Sequence, residues 1–324
     1  MEGDVRWHHG QTLAAGQVAE FKVWAELVRQ SGGGLHVFLP LRDVGIDGVL
    51  HRLEDGAYIP LQVKGRTSLT AAGQVHITVT ASSLVDDDAL LIATLVDGAE
   101  LGRFVLVAAE ADFRRLAVHD TVDGREYLTA AFELRDDGGS RWAPYLVARE
   151  GLAERFGSPA PLAPSAPPPH EWGGQPVDRA QEGFLGEAEV IRRLAERDDL
   201  ALFRPFPDLE TVEILTWNRA SSDFVGIQVK TSGYERADQE GRVYFRVSSF
   251  RAAASTYVCV LGWDRIAAAF ADSCLLVPSV DIPGHTRVEK EWMVLELDPG
   301  SVSHRRLDRY RLSLARLAEH VAAL

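Results

Sequence analysis

The stretch IPLQVKGRT, residues 59–67, has a near twin in VGIQVKTSG, residues 225–233. Gln-Val-Lys recurs at an offset of 230 − 64 = 166 residues, and the match extends both ways from it. Downstream, QVHITVTASSL (74–84) lies over RVYFRVSSFR (242–251), ALLIATLVD (89–97) over TYVCVLGWD (256–264), and FVLVAAEADF (104–113) over CLLVPSVDIP (274–283). Upstream, Glu20, Val23, Trp24 and Leu27 fall against Glu187, Val190, Ile191 and Leu194. That i, i+3, i+4, i+7 spacing is one face of a helix in both copies. A chance tripeptide does not bring its neighbours along, so the chain reads as one unit written twice.

The divider between copies is GSPAPLAPSAPPPHEWGGQP, residues 157–176, too rich in proline for a helix or a central strand. The expected organisation is a first domain over 1–156, a linker over 157–177 and a second domain over 178–324. In the first copy the pattern predicts a helix from about 14 to 29, ended by Ser31 and three glycines, then a short strand over 36–39. Strands at 47–53 and 57–64 form a hairpin turned by Glu54-Asp55-Gly56. Further strands are expected at 74–79, 90–96 and 103–108. Tyr145 and LAE at 152–154 match Tyr310 and LAE at 317–319, which predicts a closing helix in each copy, at about 142–156 in the first. The fold class is α/β, each copy a central mixed sheet flanked by helices.

With 324 residues and 46% hydrophobic content, each copy can bury a core. No apolar run reaches membrane-spanning length, and the start, Met-Glu-Gly-Asp, has no basic and apolar leader pattern. The expectation is a soluble, cytoplasmic protein with no membrane partner. Cys259 and Cys274 stand alone in apolar runs and read as buried thiols. A net charge of −13 argues against a sequence-independent basic coat for nucleic acid, while leaving room for a local basic groove. Of the 34 basic residues only Lys22, Lys64, Lys230 and Lys290 are lysine. Both Gln-Val-Lys positions nonetheless keep Lys, which points to a need for a compact ammonium there.

Glu20 on the first helix, Pro40, Gly45-Ile46-Asp47 at the start of one hairpin strand and Gln62-Val63-Lys64 at the end of the next carry a resemblance. The chain resembles the PD-(D/E)XK, restriction-endonuclease-like nuclease superfamily, and within it the Mrr-type branch, in two tandem copies. Independently of that likeness, strand alternation puts Gln62 and Lys64 on one face across the hairpin from Asp47. Phosphodiester hydrolysis needs hard oxygen ligands for a divalent cation and a positive group beside the attacking oxygen. The resemblance implies magnesium or manganese held by Asp47, the Gln62 side chain and the Val63 carbonyl. It further implies Lys64 positioning a water, Glu20 acting from the helix, and DNA as substrate of an endonuclease. In the second copy the corresponding residues are Glu187, Glu213, Gln228 and Lys230.

Two departures bear on this. The usual acidic residue two positions before the lysine is Gln in both copies, which costs the metal site a charge. The counterpart of Asp47, 17 residues before the lysine (64 − 47 = 230 − 213), is Glu213, within TVEILTW. The first copy is therefore the expected catalyst, and the second a degenerate copy that binds substrate or completes an intramolecular pseudo-dimer. A non-catalytic nucleic-acid- or protein-binding module on the same scaffold remains the alternative. A basic strip of Arg42, Arg52 and Arg66 beside Asp47 and Lys64 would favour the enzyme; acidic surroundings would favour the module. Three other features have plainer readings: His8-His9 as solvated, Asp86-Asp87-Asp88 as a charged loop and helix end, and Gly32 to Gly34 as a helix stop.

Overall fold

The computed structural model describes residues 9–97, 100–135, 140–157, 177–206, 212–236, 238–299 and 306–324. The expected proline-rich linker, apart from Gly157 and from Val177, which opens a helix, and His8 lie outside them. The chain divides into two compact units, one built chiefly from the residues before the proline-rich stretch and the other from those after it.

The first unit opens with α1 (His9–Gln30), then β1 (Leu35–Pro40), β2 (Gly48–Arg52), β3 (Ala57–Arg66), β4 (Gln74–Thr80), β5 (Leu90–Asp97) and β6 (Glu100–Ala109). It closes with α2 (Glu110–Leu116), β7 (Val118–Val122), β8 (Arg125–Glu133) and β9 (Leu146–Ala148). Its main sheet runs β1-β2-β3-β5-β6-β9, parallel between β3 and β5 and antiparallel elsewhere. A smaller antiparallel sheet, β4-β8-β7, lies apart from it.

The second unit repeats this plan. Its elements are α3 (Val177–Leu194), β10 (Leu200–Phe206), β11 (Ile214–Asn218), β12 (Phe224–Tyr234), β13 (Gly241–Arg246), β14 (Thr256–Asp264) and β15 (Ala269–Pro278). After these come α4 (Ile282–His285), β16 (Arg287–Glu289), β17 (Trp292–Leu297), β18 (Arg311–Ser313) and α5 (Leu317–Ala322). The main sheet is β10-β11-β12-β14-β15-β18, again with one parallel pair, β12 with β14. Even an irregularity is shared: the register slips between Thr94 and Val96 in one unit and between Leu261 and Trp263 in the other. The cross-strand stack of His51 on Tyr58 recurs 166 residues on as Trp217 on Phe224.

Sequence pattern explains the layers. Val23, Trp24 and Leu27 face one side of the first main sheet and are buried with Leu35, Leu50, Leu61, Val63 and Val105. Fully burying side chains of this size stabilises by about 1.5–3 kcal/mol each. The opposite face of β5 and β6 packs against Val75, Ile77, Leu128 and Phe132 of the small sheet and Phe113 of α2. Val190 and Leu194 of α3 repeat the first arrangement, and Val243, Phe245 and Leu295 the second.

The expected closing helix is corrected in the first copy and present, though short, in the second. Residues 143–156 form short 3-10 turns around β9, which pairs with β6. Pro144 at the head of the first turn removes a donor, and Leu146 and Val147 go to the sheet edge instead. In the second unit the closing helix is confined to Leu317–Ala322, after β18 has made the same edge pairing with β15. The α2 helix and the β7–β8 hairpin were not expected from the sequence. Asp86-Asp87-Asp88 sits in a loop ahead of β5 and ends no helix. Cys259 and Cys274 are free and buried, as expected.

Candidate functional site

The hairpin of β2 and β3 places the site. The N–H of Asp47 donates to the Leu61 carbonyl (2.9 Å), which sets Asp47 opposite the segment that carries Gln62, Val63 and Lys64. Its carboxylate Oδ2 accepts from the backbone N–H of Val63 (2.7 Å) and from Lys64 Nζ (3.4 Å). Among the described residues no donor reaches Oδ1. The Asp47 and Lys64 side chains keep 22% and 28% of their exposure, open enough to meet a ligand yet held in place.

Gln62 is almost fully buried. Its Nε2 donates to the carbonyls of Gly45 (3.1 Å) and Ser83 (3.2 Å), which fixes the amide because those oxygens can only accept. Oε1 is left buried with no hydrogen-bond donor among the described residues. Gly45 makes this possible: its φ is +83°, and a Cβ there would stand 2.9 Å from Val85 and 3.2 Å from the Ser83 carbonyl.

Glu20 reaches the site because α1 lies very close to β3. A Cβ on Gly65 would stand 2.2 Å from the Ala19 Cβ, so glycine at 65 sets the approach. The Glu20 carboxyl is pushed up to about 7, first by burial and then by the negative charge of Asp47, with Lys64 pulling the other way and Asp43 adding to the rise. Burial withholds water from the charged form, and neighbouring carboxylates repel it.

The second unit builds the same motif. Glu213 Oε2 accepts from the Val229 N–H, and Glu213 Oε1 lies 3.4 Å from Lys230 Nζ. The longer side chain is buried more deeply, and burial pushes its carboxyl up to about 7 against the pull of Lys230 and the Val229 N–H. Glu187 lies close enough to raise it further and is itself paired with Arg204 at 3.2 Å. Gln228 is buried beside it on β12. The helix approach is again tight but inverted, since a Cβ on Gly186 of α3 would stand 2.0 Å from Thr231 Oγ1.

The expected basic strip does not form as a set. Arg52 is at the far end of β2, five residues or about 17 Å along the chain from Asp47. There it is tied to Asp55 and to the Phe156 carbonyl. Arg66 is tied through Nε to the His76 carbonyl (2.9 Å). After burial, the charges that move the Glu20 carboxyl are Asp47, Lys64 and Asp43, two acids and one base. Asp43, in a loop, and the Ser83 carbonyl, at the end of a single 3-10 turn, come from stretches with no periodic signal in the sequence. The glycine at 45 was the one trace of that loop.

Whether these groups suit a divalent cation can be tested on the donor set. Among the described residues no three His, Cys, Asp or Glu side chains gather as a metal cluster. The oxygens this hairpin offers are the carboxylate of Asp47 and the donor-less Gln62 Oε1, and the charge of Asp47 is felt by Glu20. An amide oxygen buried without a donor costs about 1–3 kcal/mol, and a hard cation is one partner that would satisfy it. Both oxygens are of the hard type that magnesium or manganese takes.

No family model matches the chain, and no curated protein matches it. Among solved structures a bacterial homing endonuclease, I-Ssp6803I, matches with a TM-score of 0.31 and 14% identity, over 44% of this chain and 94% of that one. A likeness of that size carries no argument about this chain. Among the described residues no helix is long and apolar enough to cross a membrane.

Proposed function

We propose that this chain is a metal-dependent nuclease that hydrolyses phosphodiester bonds of DNA, with its main site in the first unit. The observation that carries the reading is the carboxylate of Asp47 gripped by the Val63 N–H and paired with the Lys64 ammonium, with the donor-less Gln62 Oε1 on the same strand. Asp47, Gln62 and the Val63 carbonyl are the groups that would hold magnesium or manganese. Such a cation would polarise the phosphate and make a bound water more acidic.

The chain's own residues do the rest. Asp47 holds Lys64 in place, and the ammonium, with two donors left over, can orient a water and meet the charge that develops on the phosphate. Glu20, held near 7, can take up or release a proton at neutral pH. In the second unit a carboxyl already raised to about 7 is a poorer cation ligand, which supports a binding role there. A non-catalytic module is favoured by one specific observation, the acidic company of Asp43 and Asp47 around Glu20.

The deciding experiment is cleavage of plasmid and single-stranded DNA with magnesium and with manganese by wild type, Asp47→Ala, Lys64→Ala and Lys230→Ala. Cleavage lost in the first two variants and kept in the third is the expected result. A folded wild type that cleaves neither substrate with either metal would overturn the enzyme and leave the module.

A further inference from the structure

The chain's −13 charge hides a local reversal near its end. Residues 304–311 read HRRLDRYR, where the matching segment of the first copy, 139–146, reads GSRWAPYL. The second copy has thus gained Arg305, Arg309 and Arg311 at places held by Ser140, Pro144 and Leu146 in the first.

The described part of this segment lines an open cleft of about 450 Å³ with Val280, Asp281, Gly284, His285, Arg306 and Arg309. Arg306 Nε donates to His285 Nδ1 (2.9 Å), and its Nη2 to the Gly284 carbonyl (2.8 Å). Arg309 Nη2 stands 3.2 Å from the other ring nitrogen, Nε2, and its guanidinium lies over the Tyr310 ring at 4.5 Å. A neutral imidazole has one acceptor nitrogen, so two guanidinium donors facing both nitrogens cannot both be satisfied.

The carboxylates nearby do not resolve this. Asp281, the one acid that lines the cleft, accepts from Tyr310 Oη at 2.6 Å and is 4.0 Å from Arg309. Asp308 is taken by Arg311 at 3.0 Å. Burial, Arg306 and Arg309 hold the His285 imidazole below its ordinary proton affinity, against the pull of Asp281. Arg309 Nη2 also donates to Tyr310 Oη, but two exposed guanidinium forks held around one ring still turn their remaining donors to solvent, an arrangement that suits an oxyanion.

We propose that His285, Arg306 and Arg309 form a phosphate-binding site in the second unit that takes a phosphodiester group of the nucleic-acid backbone. This deepens the reading above, giving the second unit a grip on substrate separate from Glu213 and Lys230. Arg306 and Arg309 would turn donors from the imidazole to the phosphate oxygens, and the imidazole, relieved of one of them, could donate as well.

The test is binding of fluorescein-labelled single-stranded and duplex DNA by anisotropy in EDTA, across 50 to 200 mM salt, so that no cleavage is required. Arg306→Ala with Arg309→Ala should weaken binding about tenfold at the low-salt end and reduce the slope of log K against log salt by about 1 to 2. Arg306→Lys with Arg309→Lys should recover most of that slope, which separates charge from a folding defect. Unchanged affinity and slope in the alanine pair would overturn the site, as would a wild type that binds no DNA. Loss of inorganic phosphate binding by calorimetry with DNA binding intact would make it a small-anion site and overturn the backbone assignment. The nuclease reading fails separately, in a chain that binds DNA through these arginines and never cleaves it.

Discussion

The two sites differ by one methylene, and that difference reorganises the charge around them. In the first unit Asp47 is short, remains partly open beside Lys64, and the carboxyl raised to about 7 is Glu20 on the helix. In the second, Glu213 reaches further into the protein and its own carboxyl is raised to about 7, while the helix carboxylate Glu187 is drawn to Arg204. The same backbone grip, an N–H between Gln and Lys, serves both. What a strand carboxylate can do is thus set by how deep it sits as much as by its presence.

The sharpest way to break that contrast is to remove each strand carboxylate. Asp47→Ala should lower metal-dependent cleavage by about 10³-fold, the scale of losing a key electrostatic group, and Glu213→Ala by no more than about threefold. Equal losses would make the units catalytic equals.

Next in size is the helix approach. Gly65→Thr should destabilise the chain by about 3 kcal/mol in urea melts, the upper range for overpacking. Adding Ala19→Gly recreates the Gly186–Thr231 pairing of the second unit and should return about 1–2 kcal/mol, a coupling typical of residues in contact. Additive effects would show that the inversion is accidental.

A third contrast lies at the start of α2. Glu110 is fully buried, and its Oε2 accepts from the Asp86 N–H at 3.3 Å. At the matching place Ser279 Oγ accepts from the Ala253 N–H and donates to the Ala253 carbonyl, both at 2.9 Å. Burial pushes the Glu110 carboxyl up to about 7. A folded value above the ordinary 4.5 means that the neutral form suits the fold, so stability is present below about 4.5 and is lost as pH rises through about 7. Glu110→Gln should therefore gain about 2 kcal/mol over wild type at pH 8 and nothing near pH 4 in thermal melts. Ser279→Ala should cost about 1 kcal/mol at every pH.

The smallest effect concerns Glu20. The rate of DNA cleavage should rise with pH through an inflection near 7, and the inflection should fall by about one pH unit at saturating magnesium as positive charge offsets Asp47. An inflection that ignores both magnesium and Glu20→Gln would remove Glu20 from the reaction.

Much of this was legible in the sequence wherever periodicity or repetition spoke. The Val23, Trp24, Leu27 face, the hairpin turned at Gly56, and the juxtaposition of Asp47 with Gln62 and Lys64 follow from spacing alone. The approach of Glu20 was available only through the resemblance, because nothing local says how closely a helix lies on a strand. That distance is written in Gly65, a residue that looks like strand filler until Ala19 is seen against it. The closing helix of the first copy misled because Leu152 and Phe156 carry helical spacing while Pro144 and the edge pairing of Leu146 to Ala148 decide the backbone. The cleft at His285 left only its arginines in the sequence, with no hint that two of them share one ring.

A chain that contains nearly the same unit twice faces a sorting problem while it folds, since each helix meets two sheets of like shape. The inverted small residues act as a key for that choice. Alanine at position 19 fits over glycine at 65 but would strike the threonine at 231, and glycine at 186 fits over that threonine but would leave a gap over Gly65. A mismatched helix would clash with one sheet and leave a gap over the other, so these paired residues disfavour an exchange of parts between the halves of one polypeptide.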